Sequence, residues 1–295
     1  MGDPKLPPEI ERVIFESVAF SHPVRIPNLM QVAWRVKDWV EPLLYRVIIV
    51  MPASTSGDSL VPICRPEILL RLISTKPPLF FHFHVKTLHV EGIFPPQSEV
   101  IIPQILAACT GVTSLVVAFG IIPHLSALNT LKSLSSLSIN VRPLLEYYPK
   151  DFPQAMFHDL THLQIQDSLW EPEATQAFCT GLTLMSRLTH LSFNSVRWID
   201  RLHLGLRNAP LQRLMCIVLL CSPDGERRNH WPSSDDPRFV CIGEENYWVD
   251  WQRGALTGKN YWTLAEAFIA AKRAGEICVP WGRAPDRMRD GWWIR

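Results

Sequence analysis

The chain has 295 residues, 47% of them hydrophobic and 19% charged, with a formal net charge of +1. A chain this long buries about three quarters of its unfolded surface, and its apolar content excludes wholesale disorder. The near-neutral balance argues against a protein built mainly to hold nucleic acid or an anionic membrane, both of which call for a basic excess.

Residues 1–13 hold no apolar run, so no signal peptide is expected there. The Met-Gly start is followed by Leu6 where myristoylation needs Ser or Thr. Apolar stretches such as Val47 to Met51 and Leu214 to Cys221 fall far short of the ~18 residues of a spanning helix. Seven Cys, with Cys216 and Cys221 the nearest pair, suit reduced thiols. Together these point to an intracellular protein, cytoplasmic or nuclear.

The first zone, residues 1–51, reads as short helices. Pro7 and Pro8 suit a helix start, and Glu9 and Glu11 suit the positive end of its dipole. Ile10, Ile14 and Val18 recur every four residues as a one-sided apolar stripe, and Leu29, Val32, Val36 and Trp39 repeat the helical period. After Pro42, LLYRVIIV is rich in β-branched residues and reads as a strand.

The second zone, 52–221, carries one pattern six times: apolar, two residues, Leu, one residue, apolar. It appears at Val85–Leu88–Val90, Val112–Leu115–Val117, Leu134–Leu137–Ile139, Leu160–Leu163–Ile165, Leu188–Leu191–Phe193 and Leu211–Leu214–Cys216. The central Leu residues lie 27, 22, 26, 28 and 23 apart, within the 20–29 window of leucine-rich repeats. Leu44–Val47–Ile49 has the same shape upstream. The Asn that usually follows the motif is absent: Ile93, Gly120, Arg142, Ser168 and Val196 hold that place. The expected fold class is therefore α/β (or α+β), an irregular leucine-rich-repeat solenoid whose stacked units share a core.

Strand alternation then places the residues between the apolar positions on an open concave face. The candidate target-binding residues are His89, Ser114, Ser136, Ser138, Asn140, His162, Gln164, Gln166, His190, Ser192, Asn194 and Arg213, with His162 and His190 stacked at equivalent positions. Such a face suits hydrogen bonding to a peptide or polar ligand better than electrostatic capture.

The third zone, 222–295, holds seven of the eleven Trp. RFVCI (238–242) reads as a further strand, and 263–274 as an amphipathic helix stopped by Gly275. This zone reads as an aromatic C-terminal cap over the apolar end of the repeats, with ligand stacking as the second reading.

The segment LPPEIERVIFESVAF, with IPNLMQVAWRVKDWVEPLLYRVI after it, resembles an F-box. Leu6, Pro7, Glu9 and Ile10 match that family's Leu-Pro-x-Glu-Ile opening, Ile14 and Val18 its apolar helix, and Leu29, Val32 and Trp39 its second part. The whole chain is similar to uncharacterised fungal proteins that join an F-box-like start to irregular leucine-rich repeats. The resemblance implies the substrate-recognition subunit of an SCF-type ubiquitin ligase, a non-enzymatic adaptor that docks on a Skp-type adaptor and cullin scaffold and holds a protein target for degradation. Carried over, it makes Leu6, Pro7, Ile10, Ile14, Leu29 and Val32 the adaptor-binding residues. The alternative is an interaction protein in which these helices are only a cap.

No enzyme signature stands out. His82 and His84 form His-x-His, but no carboxylate or Cys nearby completes a metal set, and the strand reading puts Phe81 and Phe83 in the core with the imidazoles in solvent. The Cys residues contain no Cys-x-x-Cys. Gly254-Ala-Leu-Thr-Gly258-Lys259-Asn260 is one residue short of a phosphate loop and lacks its Ser or Thr. No cofactor, metal, nucleic acid or membrane partner is expected.

Overall fold

Pro8 opens helix α1 (Pro8–Ser21), where its missing N–H costs nothing, and Glu9 and Glu11 occupy the first turn. The computed structural model describes residues 6–52, 59–92, 100–118, 125–147, 157–167, 172–194, 206, 213–221, 236–243 and 247–276. A 3-10 turn at Pro23–Arg25 leads into α2 (Ile26–Leu29) and α3 (Trp34–Leu44). Ala19, Ile26, Val36 and Val40 form a small core for these helices, and the guanidinium of Arg35 clamps both carboxylate oxygens of Glu11 at 2.9 and 2.8 Å.

The strands that follow are β1 (Val47–Val50), β2 (Ile63–Cys64), β3 (Thr87–Glu91), β4 (Ser114–Ala118), β5 (Ser136–Ile139), β6 (His162–Ile165), β7 (His190–Phe193), β8 (Cys216–Cys221) and β9 (Phe239–Gly243). They form one all-parallel, nine-stranded sheet in the order β2-β1-β3-β4-β5-β6-β7-β8-β9. Parallel neighbours need crossovers, and between β2 and β7 described helices supply them. These are α4 (Pro66–Thr75), α5 (Phe80–His84), α6 (Ile101–Ala108), α7 (Leu125–Leu128), α8 (Arg142–Tyr147) and α9 (Pro172–Thr183). Two more, α10 (Tyr247–Thr257) and α11 (Tyr261–Arg273), follow the last strand.

Alternate residues of each strand serve opposite faces. Ile48, Leu88, Leu115, Leu137, Leu163, Leu191, Ile217 and Phe239 pair in register across the sheet and join the main core with Ile105, Leu144, Phe178 and Leu182 of the crossover helices. On the other face, Val218, Leu220, Val240 and Ile242 pack against Tyr261, Ala265, Phe268 and Ile269 of α11. Val47 and Ile49 on that face lie in a cluster with Trp248, Trp251 and Leu256 of α10.

That second layer overturns the solenoid expectation. The chain is an α/β fold with helices on both faces of a parallel sheet, and α10 and α11 of the C-terminal zone lie across the supposedly open face. Two registers also differ. In β8 the core positions are Leu214, Ile217 and Leu219, three residues along from the sequence assignment, and in β1 they are Tyr45, Ile48 and Val50, one residue along. Ile217 therefore faces the main core, and β2 and β9 are the two edge strands. Residues 80–84 form a helix, with Phe81 buried, Phe83 exposed, and His82 Nδ1 bonded to Thr110 Oγ1 at 2.8 Å. The phosphate-loop look-alike is the junction between α10 and α11: Gly258 takes a left-handed φ of 76° and Asn260 caps α11.

Candidate functional site

A ladder of hydroxyl groups marks where the strands begin. Thr113 Oγ1 donates to the Lys86 carbonyl, Ser135 Oγ to Thr113, Thr161 Oγ1 to Ser135 and Thr189 Oγ1 to Thr161, at 3.0 to 3.1 Å. Each carbonyl also accepts two backbone N–H groups from the next unit, for example Thr161 and His162 onto Ser135. The second position of the repeated motif thus performs the turn-satisfying role for which the sequence offers no Asn.

One residue further on, Thr87, Ser114, Ser136, His162 and His190 stand side by side, one per strand from β3 to β7. The imidazoles of His162 and His190 are stacked, and both meet the Trp262 ring edge-on. Thr161 Oγ1 spends its proton on Ser135, so the His162 Nδ1 2.9 Å away is the donor and Nε2 is left as the acceptor. Burial, reinforced by the neighbouring His190, lowers the His162 pKa to about 4, so the ring is neutral at pH 7. Burial also lowers His190, opposed by Glu266, whose Oε1 lies 2.9 Å from its Nε2.

The next rank up is closed. Ser138 donates to Gln164 Oε1 at 2.8 Å, Tyr247 OH donates to the same oxygen at 2.7 Å, and Ser192 pairs with Tyr261 OH at 3.0 Å. Burial pushes the Tyr247 phenol up to about 12, which keeps it a neutral donor. His89, also buried, meets Trp248 and Trp251 edge-on and reaches Glu91 at 2.9 Å.

The expected target face is therefore corrected in its centre. His89, Ser138, Gln164, His190 and Ser192 are buried under α10 and α11, because polar alternation along a strand reports hydrogen-bonding partners as readily as water. Ser114, Ser136 and His162 are half-buried and line a cleft of about 360 Å³ between the sheet and the two helices. Asn140 and Gln166 are half-buried beyond the carboxyl ends of their strands, while Asn194 and Arg213 are exposed. Tyr247, Trp251, Tyr261, Trp262 and Glu266 complete the site and were missed from the sequence. The signal available was a repeated Tyr-Trp pair, 247–248 and 261–262, each at the start of a helix.

In the N-terminal module, Leu6, Pro7, Ile10, Ile14 and Val32 are exposed, Ile10 by 50%. Leu29 departs from this group, since it packs against the module's own core. Among the described residues no cluster of three His, Cys, Asp or Glu is placed to hold a metal, and no helix is long and apolar enough to cross a membrane. No family model matches the chain, and neither does any curated protein.

Proposed function

We propose that the protein is a non-enzymatic interaction adaptor that docks through its N-terminal helices on a Skp-type adaptor, and through it on a cullin scaffold, as the substrate-recognition subunit of an SCF-type ubiquitin ligase. The observation that carries this reading is the outward apolar stripe of α1. Ile10, Ile14 and Val18 succeed one another at intervals of four and face solvent, with Leu6 exposed just ahead of the helix, while another side of the same helix supplies Phe15 and Ala19 to the module's core. A helix apolar on both sides has a second surface to cover. A module that served only to cap the sheet would turn that stripe inward.

The function of such an adaptor is positioning. Holding a target beside a ubiquitin-loaded enzyme raises the effective concentration of its lysines, with no covalent chemistry of the adaptor's own. This reading places the protein inside the cell, in cytoplasm or nucleus. A second reading, in which the helices merely cap the sheet, draws on their ties to it: Lys76, the residue after α4, bonds Glu41 of α3 at 2.6 Å, and Arg46 lies over the Phe20 ring.

A pull-down with purified Skp adaptor–cullin complex separates the two. The full chain is expected to bind, and a Leu6→Asp/Ile10→Asp variant to lose binding while its melting curve is unchanged. A folded parent that does not bind would sink the adaptor reading and leave the cap.

A further inference from the structure

The cleft between the sheet and helices α10 and α11 has a chemistry of its own, independent of the adaptor reading. Its base is the row Thr87, Ser114, Ser136 and His162, which neighbouring strands present about 4.8 Å apart. Among the described residues, the hydroxyls of Thr87, Ser114 and Ser136 and the Nε2 of His162 have no protein partner. Three groups that both donate and accept, and one that accepts, thus converge on one space. Trp251 of α10 and Trp262 of α11 also line it.

The charges select among ligands. Among the described lining residues there is no Lys or Arg, and the one carboxylic side chain is Glu266, so no fixed cation is present to hold a phosphate or carboxylate. The first N–H groups of α11 are taken as well: Tyr261 donates to Asp250 Oδ2 at 3.0 Å, and Trp262 and Thr263 donate to Asn260 Oδ1. That removes the helix terminus as an anion site. Glu266 is already engaged by His190, which leaves a cation without a dedicated partner. The space suits small molecules, since 360 Å³ lies at the lower end of the range for such sites.

We propose that this cleft binds a neutral, multiply hydroxylated small molecule of mono- to disaccharide size, its hydroxyls meeting the Thr87–Ser114–Ser136–His162 row and its C–H face lying against an indole. Hydroxyls match hydroxyls because both partners donate and accept, and the electron-rich indole face attracts the weakly positive C–H groups of a sugar ring. The small residues Gly254, Ala255 and Gly258 are also among the lining and add little side-chain bulk.

The test is a titration of the full chain with D-glucose, maltose and sucrose through the millimolar range, read by tryptophan fluorescence and ligand-observed NMR, with choline and inorganic phosphate as charged controls. At least one sugar is expected to saturate the signal, and Ser114→Ala/Ser136→Ala, which nearly keeps the volume and removes the hydroxyls, to weaken its binding at least tenfold. Ser136→Phe, which fills the cleft, is expected to abolish it, with the far-UV spectrum of both variants unchanged. No saturation by any sugar, saturation by choline or phosphate alone, or sugar binding unaffected by Ser136→Phe would each overturn the proposal.

Discussion

The rings of His162 and His190 lie parallel on adjacent strands, with centroids 4.1 Å apart and planes 6° apart. Stacked imidazoles cannot both become cations without repelling, and the sheet and Trp262 shield much of the His162 ring from water. Its pKa falls from 6.5 to about 4 on folding, so the folded chain binds fewer protons than the unfolded one between those values. The resulting stability is complete above pH 6.5 and is lost as pH drops toward 4. Urea melts across that window are expected to show the decline, on the order of 3 kcal/mol at most from this group. In His162→Gln the slope should flatten; equal slopes in parent and variant would remove His162 as its source.

How far the sequence speaks for itself follows from which strands have water or partners on one face only. Strands β3 to β7 mix polar and apolar positions, so their Leu residues mark the core and their starts are legible. In β1 (VIIV) and β8 (CIVLLC) every position is apolar, because crossover helices pack on one side and α10 or α11 on the other. A run without alternation carries no phase, and the assignments slipped by one and three residues there. The same runs held the clue to the covered face. A sheet solvated on that side would not carry Val218, Leu220, Val240 and Ile242 toward water. The site was legible in part, since the stacked His pair follows from equal register, whereas Tyr247 and Tyr261 come from helices that no motif links to the sheet.

The fully buried Ser192 hydroxyl has Tyr261 OH as its partner. Tyr261→Phe keeps the ring and strands that hydroxyl, so a loss of about 1 to 3 kcal/mol in unfolding free energy is expected. Ser192→Ala placed on top should recover a large part, because neither side then leaves a buried polar group unpaired. A double-mutant cycle by chemical denaturation measures the coupling, and additive losses would show that the pair contributes nothing as a pair.

Two glycines are constrained for different reasons. A Cβ at Gly111 would run into the backbone carbonyl of His82, which has no flexible end to move away. At Gly258 nothing lies within 4 Å, and only the left-handed φ of 76° opposes a side chain. Gly258→Ala is therefore expected to cost about 1 to 2 kcal/mol, the usual left-handed penalty. Gly111→Ala is expected to cost more, since overlap must be relieved by shifting α5 against the core. Thermal melts of the two variants rank them, and the reverse order would show that the α5 turn yields easily.

Removing α10 and α11 tests whether they are part of the fold or an appended cap. The sheet face beneath them is not uniform. At β5 and β6 it carries Ser138 and Gln164, whose hydrogen-bonding groups water can satisfy, but at β8 and β9 it carries Val218, Leu220, Val240 and Ile242. A chain ended at Gly243 should therefore expose a contiguous apolar patch at that end of the sheet, bind a hydrophobic dye and self-associate. Replacing Val218 and Ile242 by Lys in the shortened chain should reduce both signals, because charge on the patch replaces the cover that α11 supplies. If the shortened chain stays monomeric and dye-silent, Tyr261, Phe268 and Ile269 do not shield that face in solution.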